Sequence, residues 1–516
     1  MPPFRRSTAP SGNANAQPRF RDVPPSFETG ANQVVWTRLA ADLDTPVSLM
    51  LKLANAGKHA FILESVTGGE ARGRYSIIGM NPDLIWDCRG ARSRVNRAAR
   101  YDEDAFEALD GHPLDTLRAL LAESRIDLPE DLPAASAGLF GYLGYDMIRL
   151  VERLPHVNPD PLGLPDAVMM RPTVVAVLDG VKGEVILVAP VWQGQGQSAR
   201  AAFAQAAERV TEAMRALDRP VPQEARALQA PAPLSEPVSN FTHEGYLAAV
   251  EKAKEYIRAG DIFQVVPAQR WTQDFPEPPF ALYRSLRRTN PSPFMFYFNF
   301  GGYQVVGASP EILVRVMGGE VTIRPIAGTR PRGATPEEDR AHEVSLLADA
   351  KELSEHLMLL DLGRNDVGRV AKPGTVRPTE RFIIERYSHV MHIVSNVVGE
   401  LREDQDALSA LLAGLPAGTV SGAPKVRAME IIDELEPEKR GVYGGGLGYF
   451  SANGDMDMCI ALRTAVVQEG KLYIQAGGGV VHDSDPEAEY QETVHKSNAL
   501  RRAAADATMF RPEGNG

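Results

Sequence analysis

The chain has 516 residues, too many for one ordinary compact core, and its 44% hydrophobic and 24% charged residues are those of a globular protein. A net charge of −12 argues against nucleic acid or an anionic membrane surface as the main partner. Cys88 and Cys459 are the only cysteines, no apolar run reaches the length of a membrane span, and the first residues lack a signal-peptide pattern, so a cytoplasmic setting is expected.

Residues 1–30 are rich in Pro, Asn, Ser and Arg and read as a mobile tail. A first block, 31–217, mixes strand-like stretches (60–65, 75–79, 174–178, 184–191) with helical ones (113–124, 198–217). A proline-studded linker follows at 218–240. The second block, 241–505, opens with Thr242 as N-cap of a helix over 244–259. Strands are expected at 262–270, 294–300, 303–307, 312–317 and 321–323, then at 441–450, 456–467 and 471–478. Helices are expected at 338–362, 408–415 and 423–434, and 506–516 is a C-terminal tail. Strands in runs with helices in groups predict an α+β fold, a large mainly antiparallel sheet flanked by helices. The first block would be a regulatory or subunit-contact domain and the second the catalytic one.

Two acidic pairs stand out, Glu352/Glu355 and Glu489/Glu492. Residues three apart on a helix share a face, so each pair can aim two carboxylates at one point. Such carboxylates repel unless a cation or protons intervene, and hard oxygen ligands suit Mg²⁺. Lys496 lies four residues after Glu492, on the same face. Arg463 sits in the apolar run Ala-Leu-Arg-Thr-Ala, read as strand, and Gly477, Gly478 and Gly479 end another strand, where bare backbone can approach an anion. Arginine, glycines and lysine together would clamp carboxylates while the glutamates hold a cation.

Five co-linear motifs make the second block resemble the chorismate-binding enzyme family, the similarity extending over most of 60–500. They are Gly307-Ala-Ser-Pro-Glu-Ile-Leu, Arg324-Pro-Ile-Ala-Gly-Thr-Arg, Asp361-Leu-Gly-Arg-Asn-Asp-Val-Gly-Arg-Val, Leu415-Pro-Ala-Gly-Thr-Val-Ser-Gly-Ala-Pro-Lys and the segment 485–496. The resemblance implies Glu355 and Glu492 as direct Mg²⁺ ligands, with Glu352 and Glu489 acting through water or neighbours. It implies that Arg463, Tyr443, Lys496 and the backbone of Gly477, Gly478 and Gly479 bind chorismate, with Gly328, Thr329 and Thr419 lining the same site. His392 would face the reacting ring, and Glu311 would protonate the departing 4-hydroxyl.

Family members that add water carry lysine where this chain has Gln264, and aminodeoxychorismate synthases carry a nucleophilic lysine where it has Ala327. Both differences favour ammonia as nucleophile and anthranilate as product. A lysine-independent aminodeoxychorismate synthase and an inactive amino-acid-binding subunit remain the alternatives. Ser65, in Phe61-Ile-Leu-Glu-Ser, resembles the family's contact for tryptophan as feedback inhibitor, with Pro293, Phe294, Met295, Leu447 and Tyr449 as the other walls. Neither cysteine lies in a glutaminase nucleophile motif, so glutamine would serve only through a separate amidotransferase subunit, in a hetero-oligomer.

Overall fold

The architecture follows from two long strands, Tyr75–Arg89 and Ala167–Asp179, paired antiparallel over most of their lengths. The computed structural model describes residues 31–66, 73–193, 198–222, 233–387 and 390–510. The tail assigned to 1–30, part of the linker and the chain after 510 lie outside them. The register of the long pair slips between Pro82 and Leu84, next to Asn81 at φ 52°. A slip of this kind bends a ribbon, so its two ends feed two layers of one continuous 21-stranded sheet, called the first and second sheets below.

In the first sheet the long pair is flanked by Glu184–Val191 and Gln33–Ala40 on one side. On the other side come Phe61–Glu64, Phe294–Asn299, Tyr303–Ser309, Thr464–Gln468, Lys471–Gly477, Ala268–Asp274 and Val238–Ser239. In the second sheet the neighbours are Arg92–Asn96 with Glu107–Leu109, and Gly138–Leu143 followed by Gly446–Ser451, Met456–Ile460, Ile312–Met317 and Glu320–Ile323. Val390–Glu400 closes that sheet, pairing with Glu320–Ile323 and Ile326–Pro331 on one edge and Arg377–Arg386 on the other. Every one of these pairings is antiparallel.

Aromatic residues fill the space between the sheets. Phe61 of the first sheet stacks on Phe140 of the second at 4.6 Å and on Phe298 at 5.1 Å. Such pairs are worth about 0.5–1.5 kcal/mol beyond area burial. A side chain at Gly79 would strike the Phe61 ring at 2.2 Å, so the bare backbone there makes room for the stack. Helices Pro46–Leu53, Ala199–Leu217, Pro279–Thr289 and Pro486–Ala507 cover the outer face of the first sheet. Helices Pro113–Glu123, Ala350–Gly368 and Ala407–Gly414 cover that of the second. The expected α+β class and mainly antiparallel sheet are found, and both sequence blocks contribute to each sheet, meeting where Phe61–Glu64 pairs with Phe294–Asn299 and where Gly138–Leu143 pairs with Gly446–Ser451.

Several expected elements are divided. The helix expected over 338–362 is two, Pro336–Ala348 and Ala350–Gly368, because Asp349 leaves helical geometry and accepts the backbone N–H groups of Lys351 and Glu352 as an N-cap. The strand expected over 262–270 breaks at Pro267, which has no N–H to give a ladder. The one expected over 456–467 breaks at 461–463, so Arg463 lies at a corner and not in a strand. Among the described residues no helix is long and apolar enough to cross a membrane.

Candidate active site

Two chain crossings build the centre of the site. Tyr303–Ser309 belongs to the first sheet and Ile312–Met317 to the second, so the chain changes sheets at Pro310-Glu311. Met456–Ile460 and Thr464–Gln468 make the reverse change at 461–463. The corners are tied together, with the Ile460 N–H donating to the Glu311 carbonyl at 3.0 Å and the Ala308 N–H to the Arg463 carbonyl at 3.1 Å. Arg463 adopts φ 47°, a left-handed conformation that costs a non-glycine residue about 1–3 kcal/mol and persists where surroundings over-determine it.

Burial raises the Glu311 pKa above the ordinary carboxylate range, partly offset by Arg463, by the Thr419 hydroxyl and by Lys496. The Thr419 hydroxyl donates to Glu311 Oε2 at 3.1 Å. Glu311 therefore favours its protonated form more than a solvated glutamate does. His392 Nδ1 lies 3.0 Å from the Gly328 carbonyl and 3.1 Å from Thr329 Oγ1. A carbonyl only accepts, so Nδ1 carries the proton and Nε2 keeps its lone pair. Burial lowers the His392 pKa, with Arg463 acting the same way, which keeps the imidazole neutral.

The acidic pairs sit on facing helices, Ala350–Gly368 and Pro486–Ala507. Burial raises the Glu355 pKa first, and the charges of Glu352 and Glu492 raise it further, so carboxylates of both helices act on one another. Glu352 is held by Arg330 at 3.3 Å, and the same guanidinium binds Asp349 at 2.8 Å. Glu489 accepts the Ser484 hydroxyl on Oε1 at 2.7 Å, while its buried Oε2 has no protein partner. Lys496 lies 2.6 Å from Glu492 and donates to the Gly477 carbonyl at 2.9 Å. Among the described residues no three His, Cys, Asp or Glu side chains gather as a ready cage. Mg²⁺ commonly takes only one or two carboxylates and completes its shell with water and substrate.

The glycine run serves close approach. A Cβ at Gly477 would lie 3.1 Å from the Tyr443 hydroxyl, one at Gly478 3.0 Å from Glu489 Oε2, and one at Gly479 2.8 Å from Gln264 Nε2. The Gly478 N–H donates to the Pro267 carbonyl at 3.2 Å. Gln264 is buried on the short strand Gln264–Val265, and its Oε1 has no protein partner. Arg440, in a buried ion pair with Glu436, faces the Tyr443 ring at 5.5 Å. The structure thus brings Glu311, His392, Thr329, Thr419, Arg463, Lys496, Tyr443, Gln264, the glycines and the four glutamates into one neighbourhood. Sequence reasoning assigned no role to Arg330 or Arg440. Arg330 stood inside a quoted motif, whereas Arg440 had no local signal.

A separate cavity of about 950 Å³ opens between the sheets. Ser65, Pro293, Phe294, Met295, Leu447 and Tyr449, all expected to form one site, line it. The pairing of Phe61–Glu64 with Met295–Phe298 brings the first four together, and Gly446–Ser451 supplies the others from the second sheet. Cys459 is buried in its wall and Cys88 elsewhere in the core.

Residues 81–502 match the model of the chorismate binding enzyme family. Anthranilate synthase component 1 of Cereibacter sphaeroides is 75% identical over 498 residues, 96% of this chain and 99% of the relative. The Pseudomonas putida protein of that name is 51% identical, covering 90% and 94%. The crystal structure of anthranilate synthase component I from Streptococcus pneumoniae superposes with a TM-score of 0.75 at 36% identity, over 90% of this chain and 98% of that one. The menaquinone-specific isochorismate synthase of Escherichia coli shares the fold, with a TM-score of 0.69 at 20% identity over 92% and 95%. The chain belongs to the chorismate-binding enzyme family and is an enzyme of its anthranilate synthase component 1 type.

Proposed function

We propose that the enzyme converts chorismate and ammonia to anthranilate and pyruvate with Mg²⁺, and that tryptophan bound between the sheets inhibits it. One observation carries the catalytic reading: Lys496 acts on both Glu311 and Glu355, and Arg463 on both Glu311 and His392, so acid, base and carboxylate pairs share one cationic centre. A dicarboxylate substrate is the natural occupant of such a centre. Arg463 and Lys496 would take its carboxylates, with the Tyr443 hydroxyl and the glycine-run backbone beside them. Glu355 and Glu492 would hold Mg²⁺, and the unpartnered oxygen of Glu489 supports that fit. Bound Mg²⁺ supplies charge neutralisation and orientation of the ring carboxylate.

The chain's own groups account for the proton traffic. Expelling the ring hydroxyl requires a proton, which Glu311 holds because burial disfavours its charge. Aromatisation requires loss of a ring proton, and neutral His392 offers Nε2 to receive it. The Gln264 amide cannot deprotonate water, whereas ammonia attacks without activation. In the tryptophan-forming route glutamine nitrogen would arrive through a separate amidotransferase subunit.

The test is fluorescence-monitored turnover of chorismate by the purified chain with Mg²⁺ and ammonium, with and without tryptophan. Anthranilate formation that depends on Mg²⁺ and is suppressed by tryptophan is expected. A different aromatic or hydroxylated product would overturn the reading of Gln264 and Ala327. Ser65→Phe fills the cavity wall at a residue outside the set assigned to acid, base and substrate, so turnover should persist while half-inhibition needs at least about tenfold more tryptophan, a loss of about 1.4 kcal/mol in binding. Unchanged inhibition in that variant would move the effector elsewhere.

A further inference from the structure

We infer that Tyr387 is a positioning residue for His392 and the side chain through which an occupant of the inter-sheet cavity acts on the active site. The second half of this statement rests on the reading of that cavity as the tryptophan site. Tyr387 lines the cavity. Its ring also meets the His392 imidazole edge to face, with centroids 5.5 Å apart and planes at 63°. One aromatic side chain therefore borders both places.

Tyr387 is tied at its backbone and at its hydroxyl. Its N–H donates to the Val390 carbonyl at 2.8 Å, and its carbonyl accepts Arg332 Nη1 at 2.8 Å. Its hydroxyl donates to Glu385 Oε2 at 3.0 Å. Glu385 is the register partner of His392 on the adjoining strand and pairs with Arg324 through its other oxygen. Arg324 borders the cavity and also the small pocket beneath Glu311 and Thr419.

His392 gains its orientation from two sides. Nδ1 is fixed by Gly328 and Thr329, and the aromatic face by Tyr387. An imidazole held by one edge alone pivots about it, and a small misplacement of a catalytic group is costly. A ligand changes a distant group only if it favours one of two arrangements. On this inference the ring, wall on one side and packing partner on the other, takes two such arrangements: against His392 with its hydroxyl on Glu385, or displaced from it with that bond released.

Tyr387→Leu tests this, read by steady-state kinetics and calorimetry. We expect kcat to fall about tenfold with the KM for chorismate within about twofold, the pattern of lost transition-state positioning. Tryptophan affinity should stay within about threefold while the concentration for half-inhibition rises at least about fivefold, the lower bound of usual coupling. Unchanged kcat, or inhibition that follows binding step for step, would overturn the inference. A second measurement needs no variant at Tyr387: in ¹³C-histidine protein the His392 ring signal, identified with His392→Gln, should shift on adding tryptophan. A stationary signal with tryptophan bound would also overturn it. Absence of tryptophan binding to the unaltered enzyme would instead overturn the cavity's reading, leaving the kcat and KM split to decide the positioning role.

Discussion

Glu492→Ala or Glu355→Ala should each cut anthranilate formation at least about a thousandfold, equivalent to about 4 kcal/mol of transition-state stabilisation. The two carboxylates come from different helices and act on one another across the gap. On the proposed assignment, removing either would leave Mg²⁺ with a single direct protein ligand, because among the described residues no third such side chain joins them as a cage. Stability should move the opposite way. The Glu355 pKa is raised in the fold, so its ionised form opposes folding at pH 7, above the ordinary carboxylate range. Alanine there should leave thermal stability in Mg²⁺-free buffer unchanged or higher. Loss of activity together with loss of stability would indicate a structural pair, and near-normal turnover in both variants would remove the metal assignment.

Glu311→Gln should lower kcat by about 10²–10⁴, the usual worth of a positioned acid, with the KM for chorismate within a few-fold. Glutamine keeps the shape and can still accept the Thr419 hydroxyl, but it has no proton to give. The pH profile supplies the sign. In the proposed role Glu311 acts while protonated, and its pKa lies above the ordinary value, so the unaltered enzyme should lose turnover as pH rises through that raised pKa. The glutamine variant should lose that alkaline limb along with the rate. A limb that persists in it belongs to another group, and Glu311 would then not be the acid.

Local chemistry explains what was readable in the chain beforehand. Thr242 caps its helix as its hydroxyl and position suggest, accepting the Gly245 N–H. The acidic pairs lie on helices because i, i+3 spacing fixes a shared face whatever the tertiary context. The six residues expected to form one inhibitor site share one cavity, although strand pairings across more than 200 residues assemble it. Spacing alone could not yield that assembly; the motif resemblance did. The exchange of strands between sheets was not legible, because a two-residue corner such as Pro310-Glu311 leaves little mark in hydrophobic alternation. Arg463 looked like a strand residue for the same reason: its apolar neighbours continue the pattern through the break. Tyr387 and Arg440 reach the site through contacts distant in sequence or across a turn, where neither periodicity nor motif points.

The paired corners at Glu311 and Arg463 bear on how such an enzyme can change over evolutionary time. Both of these side chains sit where the backbone passes between layers, and each layer also contains strands from the first block. Excising the first block would uncover the edges of Phe294–Asn299 and Gly446–Ser451, inviting edge-to-edge association. The second block is therefore not a detachable module: replacing its partner would require new strands at both seams, whereas substitution around the corners leaves both seams intact.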